Sequence, residues 1–562
     1  MKGVENLIHK IRKNKLVLSI FVIICVSIAA LSPLLGNNSY IHGHDTTWHV
    51  QTIDAMSQLK IGELLDVRMV GKMMNDLGYP VGIFYPQFAH IVATFIYKIT
   101  SPLGASVYAA AKATHFLILC LSGIFMYLLL LKLTKSHKIS LVAAIIYMVM
   151  PYHLVDILIR DTFGEELLFV FLPLLGLSFY YLAHEKFGLY LPLFVVACFG
   201  LVNSHLALAM YIAIFGVIFI LLNFKTFINP KKISFLIAGG ILAISVCTPF
   251  ILPILEQHST SEIVALSTDY LTANREYRAH ISPYALLFYD QNAEVGIPFF
   301  LNIAAIAIIV YAHIFGSLKN KQRKQFFVSL SIIGLIIIFM IVGIFVKMDS
   351  YPETLKMIQF FWRLEVILIF TLSIQAAISL KSISSEKIKS AAMFSMLILA
   401  AFGVEITLEH MLPIETRAIQ QEYEEQYRFR EYLPVKAFEN FEYLKNKTED
   451  VVVKEGAANV SDVVRNTPNL DFKVETKKGT TLELPLLYYI GYEIKSLDAN
   501  ESKDVEYKES ENGFIEIFVP QNANIRVRYV GTNIMHISKV IFFVGSITTI
   551  ICTILLQRKN EH

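Results

Sequence analysis

Residues 16–35 read LVLSIFVIICVSIAALSPLL, twenty positions without a charge. A helix needs about that many residues to cross roughly 30 Å of hydrocarbon. A basic stretch precedes the run (Lys10, Arg12, Lys13, Lys15), but Ser32-Pro33-Leu34-Leu35 is not a small-residue cleavage site. The run therefore reads as a retained span and not as a cleaved signal peptide. Similar runs are expected near residues 113–133, 139–157, 167–182, 189–202, 205–222 and 233–255, and again near 297–315, 326–345, 358–380, 391–408 and 537–556. At this length per crossing, the chain should hold about twelve spans.

Composition agrees. Of 562 residues, 55% are apolar and 17% charged, whereas about a quarter are charged in an ordinary soluble chain. This excludes a set of cytosolic domains, and the apolar and aromatic content excludes disorder. The formal charge, 49 − 46 = +3, argues against a nucleic-acid binder held by phosphate contacts. Basic clusters fall on alternate loops: Lys132/Lys135/Lys138, Lys186, Lys225/Lys231/Lys232, Lys319/Lys321/Arg323/Lys324, Lys381/Lys387/Lys389 and Arg558/Lys559. By the positive-inside rule these face the cytoplasm, as do both termini of a multi-pass plasma-membrane protein.

The reading is a polytopic α-helical membrane protein. A transmembrane domain (1–409) carries outer loops 36–90, 151–166 and 256–296. An extracytoplasmic, mainly-β domain (410–536) precedes the last helix and a cytoplasmic tail (537–562). Within that domain a charged helical stretch from Glu415 to Glu431 leads into strand-like runs at 450–453, 471–475, 481–484, 514–519 and 525–530, where apolar and polar residues mostly alternate. A small antiparallel sheet or sandwich is expected. All five cysteines (Cys25, Cys120, Cys198, Cys247, Cys552) fall in expected spans, leaving the outer domain without a disulfide, which points to a Gram-positive envelope.

The ionisable residues at the outer membrane boundary are the candidate site. Asp45 follows the first span and precedes a helical pattern (Ile53, Met56, Leu59). It could simply cap that helix, or serve as a general base flanked by His44 and His49. His42, His44, Asp45 and His49 also offer donors for a divalent cation, although their spacing matches no strong zinc pattern. The second outer turn crowds Arg160, Asp161, Glu165 and Glu166 against two spans. Such groups usually face a protein interior or cavity, the alternative being a solvated loop with internal ion pairs. His205 is either a packing residue or a substrate contact. Arg363 either snorkels to headgroups or grips a phosphate by a forked bond. Arg275, Arg278 and His280 are poorer candidates for substrate contact. There is no P-loop and no GxGxxG opening a helix, so activated groups must come from the membrane or from a gradient.

Gly43-His44-Asp45, Gly78-Tyr79-Pro80 and Phe84-Tyr85-Pro86 resemble the first outer loop of bacterial multi-spanning glycosyltransferases of the GT-C fold. The stretch from Arg160 to Glu166 with Pro173, Ser204-His205-Leu206, Gln359-Phe360-Phe361-Trp362-Arg363 and Glu431-Tyr432-Leu433-Pro434 are similar in the same order. So are Leu484-Pro485-Leu486-Leu487-Tyr488-Tyr489 and Gly491-Tyr492. More narrowly, the chain is similar to YfhO-like membrane proteins and to those called "6-pyruvoyl-tetrahydropterin synthase related", a label that describes no reaction of this chain. The resemblance implies a hexosyltransferase acting on the outer face with a polyprenyl-phosphate-linked sugar as donor. The acceptor would be a cell-wall, teichoic-acid or lipid-linked glycan. Asp45 would then be base or metal ligand, with Glu165 or Glu166 as a second catalytic carboxylate. His44, His49, Arg160, Asp161, His205 and Arg363 would bind substrate. Many relatives carry a paired acidic motif where this chain has Asp45-Thr46.

Two other classes account for the span number. A flippase of lipid-linked saccharides predicts charged or broken helices near the midplane and a repeat, whereas here the polar residues gather at outer ends and no repeat is evident. A non-catalytic envelope scaffold predicts scattered, solvated acids.

Overall fold

The computed structural model describes residues 2–35, 40–267, 280–287, 306–307, 309–311, 321–343, 352, 355, 358–409, 414–415, 418–424, 427, 429–447, 450–497 and 502–559. Among these, seven helices are long and apolar enough to cross a membrane: Val107–Thr134, Phe163–Ala183, Pro230–Thr260, Arg323–Val342, Phe361–Ser382, Glu386–Glu409 and Asn533–Arg558. His137–Val149 and Pro151–Arg160 form a further pair bent by 48°. The bend falls where Pro151 begins the second piece, since proline has no N–H to continue the ladder. Asn14–Ala30, Phe187–Val202 and Leu206–Leu222 are shorter apolar helices. The span expected at 297–315 lies almost entirely outside the described residues.

Several helices start earlier than their apolar runs. Val107–Thr134 takes in Lys112, and Phe163–Ala183 takes in Glu165 and Glu166. These polar residues are buried, so the boundaries reflect partners that hydropathy does not reveal.

Beyond the bundle lies a seven-stranded antiparallel sheet. Its spatial order is Ser502–Asp504, Tyr492–Leu497, Ala523–Tyr529, Asn469–Leu487, Phe514–Val519 and Tyr507–Glu509, with Val452–Asn466 also paired to Asn469–Leu487. The two short strands expected at 471–475 and 481–484 are one strand of 19 residues. Its first half pairs with Ala523–Tyr529 and its second with Phe514–Val519. Gly479, at φ +82°, lies between the two halves and presses its carbonyl toward Gly456, where an added Cβ would come within 2.6 Å of that oxygen. Positive φ costs glycine nothing, which allows the long strand to bend from one partner to the other.

The molecule has two apolar cores. One runs through the helices. The other joins the first outer loop to the sheet, packing Trp48, Met56, Met74, Leu77 and Tyr79 with Leu433, Leu470, Leu486 and Val527. Polar links reinforce it. Leu487 N–H donates to Leu77 C=O at 2.8 Å, and Tyr79 OH donates to Phe429 C=O at 3.0 Å. Tyr40–Ile41 also pairs antiparallel with Ile414–Glu415.

Because Leu77 is fully buried in that shared core, Leu77→Ala is expected to cost about 2–5 kcal/mol. It should lower the thermal midpoint of the purified protein and speed proteolysis within the sheet. Wild-type values on both measures would mean that loop and sheet are energetically separate.

Candidate active site

The loop before the helix Thr46–Ser57 and the turn before the helix Phe163–Ala183 are joined through their backbones. His44 N–H donates to Ile159 C=O at 3.1 Å, and Asp45 N–H donates to Arg160 C=O at 3.0 Å. Glycine at position 43 makes the approach possible, because a Cβ there would lie 2.8 Å from Asp161 Cβ and 2.9 Å from Ile159 C=O. Thr46 Oγ1 accepts Gly43 N–H at 2.8 Å and donates to Asp161 Oδ2. Asp161 itself turns left-handed, at φ +56°, between Arg160 and the next helix.

Asp45 stands at the N-cap position of the helix Thr46–Ser57, but its side chain caps nothing. The carboxylate is half-buried and makes no hydrogen bond or ion pair with any described residue. Burial pushes its pKa up to about 6, with the positive charges of Arg160 and Arg363 opposing the rise. Asp45 is therefore poised near neutrality with its oxygens uncommitted.

Its neighbours are fully engaged. Arg160 is buried and donates from Nη1 to Asp156 Oδ1 (2.5 Å), Glu165 Oε2 (2.8 Å) and Tyr152 OH (3.2 Å), and from Nη2 to Glu165 Oε1 (2.7 Å). Its guanidinium carbon lies 4.6 Å from the centre of the Trp362 ring. Tyr152 OH donates to Glu165 at 2.7 Å. Arg363 Nε approaches Glu165 Oε1 at 3.0 Å, an ion pair whose angle is too poor for a hydrogen bond. Arg363 Nη1 donates to Gln359 Oε1 (2.7 Å) and Ile358 C=O (3.1 Å), and among the described residues its Nη2 makes no hydrogen bond. Arg160 is thus saturated by two carboxylates, while half-buried Arg363 keeps one edge of its fork available.

A second chain runs beside the first. His115 bridges Asp161 Oδ1 and Glu166 Oε2, both at 2.8 Å. Burial alone would raise the Asp161 pKa, but hydrogen bonds from His115 and Thr46 bring it below the usual carboxylate value. Glu165 and Glu166 are both buried within the first turn of their helix.

The expected cation site is not formed. Among the described residues no three His, Cys, Asp or Glu side chains group so as to hold a metal ion. His49 sits one turn along the helix from Asp45, and its Nδ1 is paired with His90 Nε2 at 2.8 Å. Its ring lies 4.7 Å from the centre of Phe163, and burial pushes its pKa down to about 4. His44 is exposed, and His42 Nδ1 lies 3.9 Å from Glu422 Oε1.

Of the remaining candidates, His205 accepts the Leu208 N–H at 3.3 Å and lies within the electrostatic reach of Glu165 and Arg363. His280 stacks on Phe361, and its Nδ1 lies 3.0 Å from Met340 C=O. Arg275 and Arg278 lie outside the described residues. Sequence reasoning missed His115, Asp156, Tyr152 and Glu422. Asp156 and Arg160 carried a signal, opposite charges four residues apart on a helix. His115 had only its oddity inside an apolar run.

No protein-family model matches the chain, and no curated protein does. Among solved structures it is similar to the oligosaccharyltransferase AglB of Archaeoglobus fulgidus in complex with an inhibitory peptide and a dolichol-phosphate. There the identity is 12% and the TM-score 0.46, over 78% of this chain and 59% of that one. The apo oligosaccharyltransferase from the same organism gives 12% identity and a TM-score of 0.40, over 77% and 58%. The chain spans about three fifths of the length of these enzymes.

Glu165→Gln removes the charge that holds Arg160 and Arg363 together and leaves Arg160 with Asp156 alone. Breaking a buried pair in this way is expected to cost about 3–5 kcal/mol, measured as thermal stability in detergent. A Glu165→Gln protein as stable as wild type would show that Asp156 suffices to neutralise Arg160.

Proposed function

We propose that this chain is a membrane glycosyltransferase of the GT-C type, as its outer-loop motifs suggest, and that it works on the outer face of a bacterial plasma membrane. The observation that carries the reading is the Asp45 carboxylate, which is bonded to no described residue, raised to a pKa of about 6 and set in the field of two arginines. The donor is a sugar linked to polyprenyl phosphate, and the acceptor is an envelope or lipid-linked glycan. The YfhO-like resemblance belongs to the same reading.

Asp45 takes the proton of the acceptor hydroxyl. The resulting oxygen forms a bond to the anomeric carbon as the bond from that carbon to the phosphate oxygen breaks, and the electron pair leaves with the lipid phosphate. Charge grows on that leaving group, and fixed cations aimed at it lower the barrier. Arg363, with a free edge, suits this role better than Arg160, whose donors are occupied. Glu165 positions the two arginines, and Glu166 holds His115 against Asp161. Asp45 then passes its proton to solvent or to the departing phosphate.

A positioned general base contributes about 10²–10⁴-fold. Asp45→Asn should lower transfer from a polyprenyl-phosphate sugar by that factor while leaving expression and thermal stability near wild type. The pH profile gives a separate check. Below about 6 Asp45 is protonated and cannot accept a proton, so the rate should climb through pH 6 and level off above it. An acidic limb centred near 3.8, the value of a solvated Asp, would remove Asp45 from this role, as would full activity of Asp45→Asn.

A further inference from the structure

A cavity lies at the other end of the bundle. It has a volume of about 890 Å³ and runs between the helices Val107–Thr134, Phe163–Ala183, Leu206–Leu222, Lys321–Val342 and Glu365–Ser382. His115 touches the outer charge cluster, while Lys132, seventeen residues along the same helix, lines this cavity. At 1.5 Å per residue the two are about 25 Å apart, close to the thickness of the hydrocarbon layer.

The lining is divided sharply. Six cations ring the mouth: Lys132, Lys135, Lys225, Lys232, Arg323 and Lys381. Among the described residues no carboxylate lines it. The deeper walls are apolar, including Phe179, Phe215, Phe219, Leu330 and Ile374. On one helix the lining extends from Lys381 back to Ile367, a depth of about 20 Å.

Basic residues at this end are ordinary for a membrane protein, since lysines snorkel there. These differ in what surrounds them. Lys135 Nζ is 3.2 Å from Tyr180 OH, Lys132 lies over Tyr181, and Lys225 lies over Phe224. Lys232 is held by the carbonyls of Ala183 (3.0 Å) and Thr226 (2.8 Å), with Glu185 at 3.8 Å. Rings and carbonyls orient these cations around an apolar groove, and positive charge gathers at its mouth. Basic pockets between membrane helices take anionic headgroups, and the volume lies within the range of small-molecule sites.

We propose that this groove binds an anionic glycerophospholipid from the leaflet opposite Asp45, its phosphate against the lysine ring and its acyl tails along Phe179, Phe219 and Ile374. The site stands apart from the outer cluster and does not depend on the reaction assigned there. It would fix the inner ends of the helices Val107–Thr134 and Phe163–Ala183, which carry His115, Glu165 and Glu166 of the charge cluster.

Native mass spectrometry of the full-length protein, titrated with phosphatidylglycerol or with phosphatidylcholine of the same acyl chains, tests the proposal. Phosphatidylglycerol should bind at least about tenfold more tightly, since each lysine near a charged headgroup contributes on the order of 1 kcal/mol. The combined substitution Lys132→Gln, Lys225→Gln and Lys381→Gln should remove most of that preference, and arginine at the same three positions should keep it. Equal binding of the two lipids would overturn the proposal by making the groove a mere crevice for tails. Displacement of phosphatidylglycerol by equimolar inorganic phosphate would overturn it in favour of a free-anion site. Preferential displacement by polyprenyl phosphate would overturn it in favour of the donor lipid. If the glutamine variant fails to fold, the same titration on Lys381→Gln alone decides, an unchanged preference counting against the site.

Discussion

One end of this molecule is organised around one buried guanidinium. A charge taken out of water is costly unless it is paired and hydrogen-bonded, and Arg160 satisfies that demand with Asp156 four residues before it and Glu165 five residues after it. To reach Arg160, Glu165 must lie in the first turn of the helix Phe163–Ala183. Its second oxygen contact brings Arg363 in from a distant part of the chain. The backbone between these groups is then fixed, and its carbonyls at positions 159 and 160 receive the N–H groups of His44 and Asp45. The location of Asp45 thus follows from the needs of a different residue.

That arrangement has an electrostatic consequence. Asp156 and Glu165 use up most of the charge of Arg160, so Asp45 feels a weakened cation and a strong desolvation penalty, and its proton affinity rises. Had Asp45 paired directly with Arg160, it would be a low-pKa carboxylate suited to structure. As it stands, one carboxylate holds the site together and another is kept free beside it, which is the division of labour that environment imposes on paired acids in many enzymes.

Hydropathy revealed most of the helices, because a run such as 189–202 has no other reading. It misplaced boundaries where polar residues find partners inside the protein. The run at 167–182 was bounded by the cost of Glu165 and Glu166 in lipid, but Arg160, Tyr152 and His115 remove that cost. The crowding of Arg160 to Glu166 was legible as density of charge. His115 was not, since its partners lie 46 and 51 positions away and nothing local distinguishes it from a packing histidine. The sheet shows the same limit. Alternation marked residues 471–475 and 481–484 as strands, but the link between them depends on Gly479 and on which neighbours each half meets, and both are long-range facts.

The core shared with the sheet also bears on how a carboxylate at the end of a loop is held in place. Catalytic groups must be held to within a fraction of an ångström, and loops are the most mobile parts of a fold. The helix carrying Asp45 at its start is restrained from three directions. Arg160 and Ile159 hold its entry. Glu422, from the segment leading into the sheet, accepts Thr47 Oγ1 at 2.7 Å and Tyr108 OH at 2.9 Å. Trp48 and Met56 on its other faces are sealed into the core that the loop shares with the sheet. Trp48 meets Tyr79 and Tyr85 of its own loop and Phe429 and Tyr432 of the segment that leads into the sheet. Those rings share one apolar core with Leu470, Leu486 and Val527 of the sheet, so the sheet and the start of this helix are held by one continuous packing.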